Sequence, residues 1–241
     1  MNRRLFAALA ASVWTLAAHA AGDVEQGRAR SLACQACHGA NGQGTAPDIP
    51  NLAAQKAPYL AAQLTAFRSK ERKHDLMNAI AGQLSDADIA NLAAFWSSVP
   101  AGGAAAGGAA AADPAAEFRK SRMTFPADFP AGYVKYAQDE RSRSWANKAA
   151  VAAAKAHEPL PLGSAIVVEN VKDGLVVSYA AMESRKGWGD GVPELIKNGD
   201  WSYALFDGKK ALRDFNYARC LACHKPKADT QFVFGYDLIA K

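Results

Sequence analysis

All four cysteines of the chain fall in two copies of one pattern, Cys34-Gln35-Ala36-Cys37-His38 and Cys220-Leu221-Ala222-Cys223-His224. Two thiols three residues apart lie on one side of a helical turn. They can add to the two vinyl groups along one edge of a porphyrin, and the next residue then lies under the iron as its proximal ligand. Two disulfides would use the same cysteines but give no reason for the histidines. A zinc site would need a second pair close by, which neither half supplies. The expectation is two covalently attached haem c groups, with His38 and His224 as iron ligands.

The far side of each iron can be approached by elimination. Between His38 and residue 100 the candidate sixth ligands are His74 and Met77. Met77 is the only methionine there, and we place it on a charged loop just ahead of the last helix, where a packing methionine is less expected. It is the favoured ligand, and a thioether raises the potential as an electron carrier requires. After His224 only seventeen residues remain, with neither methionine nor histidine. Upstream, His157 reads as an exposed histidine at a helix end and Met182 as a core residue at a strand end. Trp188, Trp201, Phe232 and Phe234 read as packing aromatics. The second iron therefore lacks an obvious sixth ligand among these residues.

The elements that position these residues divide the chain. Residues 1–20 have a positive head (Arg3, Arg4), an apolar run over 5–18 and the small-residue site Ala18-His19-Ala20, the plan of a secretory signal. Export to the periplasm is the expected localisation, with no membrane span after signal removal, since no later run approaches ~20 apolar residues. Removing the signal takes two arginines and no acid, so the formal charge falls from +5 to +3. Two haems with their propionates would bring the total near neutral. No basic stripe is interleaved with aromatics, which argues against nucleic acid. The run Arg68-Ser69-Lys70-Glu71-Arg72-Lys73 could dock an acidic redox partner or be a solvated helix face.

Residues 101–116 are nearly pure Gly and Ala and read as a linker. They would separate a head, 21–100, from a tail, 117–241. The head reads as helical. Ser85 is an N-cap with acidic Asp88 three residues on, followed by Ile89, Leu92, Ala93 and Trp96 on one face. A second helix, carrying Tyr59, Leu60, Leu64 and Phe67, should start after Pro58. In the tail, 164–171 and 175–182 are β-rich runs joined across Asp173-Gly174, and 201–206 precede Asp207-Gly208, the mark of antiparallel hairpins. Residues 142–157 read as one Ala-rich helix.

The head, over residues 22–99, resembles the class I c-type cytochromes. Cys-Gln-Ala-Cys-His-Gly is followed twelve residues after His38 by Pro50-Asn51-Leu52, and residues 77–96 look like the family's ligand loop and final helix. The resemblance implies that the Pro50 carbonyl accepts from His38 and that Leu52 packs on the haem; Pro47 is a second candidate for the proline role. The tail cannot be a second such domain, because too little chain follows His224. Over roughly 125–234 it resembles the cytochrome P-460 family and its cytochrome c prime-beta relatives, in Phe-Pro-Ala-Gly-Tyr (129–133), residues 160–170, residues 199–208 and residues 220–234. The fold class implied is an all-α class I cytochrome c fold followed by an α+β domain with an antiparallel sheet.

Hydroxylamine-oxidising members of that second family carry a lysine cross-linked to the porphyrin. Placed from Gly163, that position is Val168 here, and the nearest lysine is Lys172. The substitution leans toward the prime-beta type, whose apolar distal pocket binds nitric oxide or carbon monoxide. The leading functional expectation is an exported di-haem cytochrome that transfers electrons through the His38/Met77 haem, works with redox partner proteins and binds a small ligand at the His224 haem. The alternatives are an oxidoreductase acting on hydroxylamine or a related nitrogen species at that haem, with no catalytic residue assigned, and a nitric-oxide sensor or scavenger.

Overall fold

A computed structural model describes residues 22–102 and 113–241. The signal expected at 1–20 and residues 103–112 of the Gly/Ala segment lie outside the described residues.

The head is all helical: α1 (Val24–Arg30), α2 (Leu32–His38), α3 (Ala57–Arg68), α4 (Asp75–Ala81) and α5 (Asp86–Ser98). The N-terminus of α5 forms where Ser85 and Asp88 predicted it. The Ser85 hydroxyl accepts from Asp88 N at 3.1 Å and the Asp88 carboxylate accepts from Ser85 N at 3.0 Å, so two otherwise unpaired donors are satisfied reciprocally. The apolar face of α5 then buries Ile89, Leu92, Ala93 and Trp96. α1 crosses α5 at Gly27, where a Cβ would come within 2.0 Å of Asn91 O, so only glycine allows the backbones to approach this closely.

Two local expectations change. α3 begins at Ala57, with Pro58 inside its first turn, where the missing N–H costs nothing. Met77 is not on a loop but in the first turn of α4. His74 creates that turn: its ring nitrogen accepts from Met77 N at 3.3 Å, while the His74 amide donates to Asn78 Oδ1 at 2.8 Å. A histidine N-cap is not among the strong sequence signals for a helix start. The charged run 68–73 is also partly engaged. Arg68 pairs with Asp86, and Arg72 lies over the Phe67 ring and bonds Gln63.

The tail is built on a five-stranded antiparallel meander, β1 (Tyr133–Gln138), β2 (Ser142–Asn147), β3 (Ala165–Lys172), β4 (Leu175–Ser184) and β5 (Trp201–Asp207), in the order β1-β2-β3-β4-β5. Asp173 and Gly174 both have positive φ, as the tight β3–β4 hairpin requires. The Ala-rich helix expected over 142–157 is divided. Its first six residues are β2, paired on both edges by β1 and β3, and only Lys148–Lys155 forms a helix, α6. Two flanking strands satisfy the β2 backbone, which outweighs a helix propensity of a few tenths of a kcal/mol per residue. Asn147 marks the change by capping α6 through Ala150 N.

The two faces of the sheet have different roles. One buries Val167, Tyr179, Ala181 and Phe206 under an aromatic cluster in which Phe125 stands edge-on to Tyr179 and Phe206, at 4.9 and 5.1 Å between ring centroids. The other carries the row Ala146, Ile166, Met182 and Tyr203. α7 (Ala218–His224), the helix bearing the second cysteine pair, packs with this second core, together with the C-terminal segment that ends in α8 (Tyr236–Ile239).

Candidate haem sites

In the head, α2 carries Cys34, Cys37 and His38 on its last turns. Gly39 stops the helix with φ of +76° and turns the chain into the loop that returns at Pro50. The His38 Nδ1 lies 2.8 Å from the Pro50 carbonyl. A carbonyl only accepts, so Nδ1 carries the proton and the Nε2 lone pair is free for a metal. Burial holds His38 below its ordinary pKa, which keeps the ring neutral as a ligand must be. Burial also pushes the Cys34 thiol up to about 12. Of the two proline candidates, Pro50 is the one whose carbonyl reaches His38.

These residues line a cavity of about 250 Å³ whose other walls include Leu52, Leu60, Phe67, Met77, Ile80 and Trp96. His38 and Met77 thus face one apolar space together with both cysteines of the first motif. His74, the competing ligand candidate, also lines it, but its Nδ1 is committed to capping α4. An apolar cavity edged by two thiols, with one imidazole and one thioether in its walls, fits a covalently attached haem. Its wall is completed from the tail by Ile196, Ala218, Arg219 and Ala222.

In the tail, α7 carries Cys220, Cys223 and His224. The chain beyond it kinks through Lys225–Thr230 and reverses at Gln231 and Phe232, both with positive φ. That reversal brings the Phe232 carbonyl to 2.7 Å from His224 Nδ1. The seventeen residues after the motif therefore supply the acceptor that orients the His224 ring, as the Pro50 carbonyl does for His38. Burial holds His224 below its ordinary pKa, as for His38. The His224 ring is tilted on Tyr203 at 4.4 Å, and Phe234 meets it edge-on at 4.8 Å. Asn198 locks the arrangement, donating from Nδ2 to Tyr203 Oη at 2.9 Å and to the Leu221 carbonyl at 3.0 Å.

Val168 lies on the same sheet face as Tyr203, in the next row, with Ser144, Ala180 and Leu205, and is half-buried. Lys172 sits four residues further along at the β3–β4 hairpin, opposite Leu175 and exposed, outside Val168's row. Met182 is buried in the core beside Ile166 and Tyr203, and His157 is exposed beyond the end of α6. Trp201 is buried and Trp188 half-buried under Arg185. Sequence reasoning missed Phe232 as an acceptor, and it missed Tyr203 and Asn198. A backbone carbonyl leaves no residue signature, and an Asn-Gly pair reads only as a turn.

Residues 24–100 match the cytochrome c family, and residues 131–235 match cytochrome P460. The chain is 47% identical over 81 residues to cytochrome c-554(548) of Halomonas halodenitrificans, covering 32% of this chain and 98% of that protein. It is 40% identical over 98 residues to cytochrome c4 of Pseudomonas aeruginosa, covering 41% of this chain and 49% of that one. Among solved structures, cytochrome c4 of Acidithiobacillus ferrooxidans aligns with 37% identity and a TM-score of 0.31, over 33% of this chain and 50% of that one. The chain thus spans about half the length of the cytochrome c4 relatives it matches. With a haem-attachment motif in each half and an apolar cavity at the first, the chain is a haem-c-binding electron-transfer protein that belongs to the cytochrome c family through residues 24–100 and continues into a cytochrome P460 domain over residues 131–235.

Proposed function

We propose that the protein is an exported, periplasmic di-haem cytochrome in which the two haem sites divide the work. Cys34 and Cys37 anchor the head haem, with His38 and Met77 as its iron ligands and Leu52 packed against it. Cys220 and Cys223 would anchor the tail haem, with His224 as its only protein ligand, leaving that haem able to take a small molecule such as nitric oxide or carbon monoxide. Haem, when bound, supplies reversible one-electron exchange. The chain's own residues set how each site uses it. The Pro50 and Phe232 carbonyls hold the Nδ1 protons of His38 and His224 and so leave each Nε2 lone pair free for an iron. The apolar walls of the head cavity exclude water, which favours the less charged state of the site. A redox partner protein exchanges electrons with the tail site by way of the head.

The observation that carries this reading is the contrast between the two histidines' surroundings. His38 shares its cavity with Met77. In the tail, Met182 is packed in the core and His157 is exposed at a helix end. Carbon monoxide added to the reduced protein tests it. One of the two haems is expected to bind; binding at both, or at neither, overturns the division.

A second reading is oxidation of hydroxylamine or a related nitrogen species at the tail haem. Val168 and the outlying Lys172 weigh against the cross-linking lysine that the resemblance associates with that activity. Protein mass beyond that of two thioether-linked haems, together with turnover of hydroxylamine, would favour this reading. Tight nitric oxide binding without turnover would favour a sensor or scavenger.

A further inference from the structure

The last carbonyls of a helix have no partner within it. In α2 the Gln35 carbonyl takes Gly39 N, and the Cys37 carbonyl takes Thr45 N. Ala36 is fully buried, and both donors to its carbonyl come from the tail: Arg119 Nε at 2.7 Å and Asn216 Nδ2 at 2.8 Å. A second arm of Arg119 donates to the Gln35 carbonyl at 2.7 Å, and a third bonds the Asp113 carboxylate. Asn216 works in both directions, because its Oδ1 accepts from Ala218 N at the start of α7. One side chain thus ties the end of the first cysteine-bearing helix to the beginning of the second. Arg219 of α7 pairs with Asp48 at 3.0 Å, and Gln83 donates to the Leu195 carbonyl at 3.0 Å. Between these polar ties, the small side chains Ala218 and Ala222 let α7 approach, and with Ile196 they close one side of the head cavity.

We infer that the tail is a built-in wall of the head's haem site, and that Arg119 and Asn216 are positioning residues that hold the two haem-attachment helices against each other. The relative placement of the two cofactors is then set by this interface and not by the reach of the Gly/Ala segment. This rests on the di-haem reading for its functional meaning, but the interface is defined by protein atoms alone. Arg119 suits the role because a planar guanidinium can serve two adjacent helix-end carbonyls and a carboxylate at once, whereas a lysine is a single point charge. The guanidinium also places positive charge at a helix C-terminus, where the helix dipole favours it.

The test uses the full haem-loaded chain with a protease site placed within residues 103–112. After cleavage the two halves are expected to co-elute in gel filtration, and the rate of electron equilibration between the haems after flash reduction should change less than twofold. In the same cleaved chain, Arg119→Ala combined with Asn216→Ala should release the halves and slow equilibration at least tenfold, while Arg119→Lys alone should give partial retention. Separation of the unmutated halves on cleavage would overturn the inference, as would continued co-elution of the double variant. The cleaved, unmutated chain needs no substitution at the interface, so the test survives a double variant that fails to fold. Haem content by mass is measured on each sample. A chain with one haem would sink the di-haem reading, while co-elution would still decide the interface.

Discussion

Replacing Asn198 by alanine probes how the second haem helix is held. Asn198 is 1% exposed, and its amide nitrogen is the joint between Tyr203 Oη on β5 and the Leu221 carbonyl on α7. The substitution leaves two buried polar groups without that partner, at about 1–3 kcal/mol each. Part of this is offset, since Asn198 Oδ1 is itself buried without a partner and its removal relieves roughly 1 kcal/mol. The net loss is about 3 kcal/mol. For a domain between the small and medium size classes that corresponds to a fall in Tm on the order of 10 °C. Because the His224 ring rests on Tyr203, the tail haem's absorption and circular dichroism should change along with stability, with a smaller change at the head haem, whose cavity wall includes Ile196, Ala218 and Ala222. Denaturant unfolding followed at each haem's own band measures both. Asn198→Leu keeps the branching and number of side-chain heavy atoms and leaves no cavity, so a loss shared by both variants reports the polar contribution. A loss below about 1 kcal/mol in both variants would refute the reasoning that this amide pins the helix.

Other perturbations have equally definite outcomes. Met77→Ala should lower the head haem's reduction potential and make a second haem reactive with carbon monoxide, read by redox titration and by the stoichiometry of binding. Ser85→Ala removes half of the reciprocal cap on α5 and should cost about 1 kcal/mol, measured as a shift in the head's unfolding midpoint with the tail unchanged. The hydrogen bond and charge of Arg219 hold the Asp48 carboxyl below its ordinary value. Its contribution is therefore complete above about pH 4 and is lost as the pH falls through the lowered value. Contact between the halves should weaken in that acid range, seen by gel filtration of the cleaved chain, and Asp48→Asn should weaken it at neutral pH and flatten the dependence.

Several features follow from local chemistry and were legible in the residues alone. Each Cys-x-x-Cys-His run occupies a helix, since its spacing needs only one turn. The Ser85–Asp88 pair starts α5, and Asp173-Gly174 makes the β3–β4 hairpin because few other pairs accept two positive φ values. Pro50 was reached through family resemblance, twelve residues from His38. What failed, failed where a distant partner decides the outcome or where the local signal is a weak one. Residues 142–147 have a helical neighbourhood in sequence but are claimed by strands on both sides. Met77 is helical because a histidine caps its turn.

The remaining decisions belong to tertiary structure entirely. The Phe232 carbonyl orients His224 only once the chain has folded back at Gln231. Asn198 has meaning only when β5 and α7 are side by side, and Arg119 only when the two domains meet at the end of α2. The residue types and their spacing determined which groups a haem could join, because attachment is a property of one helical turn. How each histidine is aimed, and how the two attachment helices face each other, depends on backbone carbonyls and side chains brought together from far apart, and that information exists only in the folded chain.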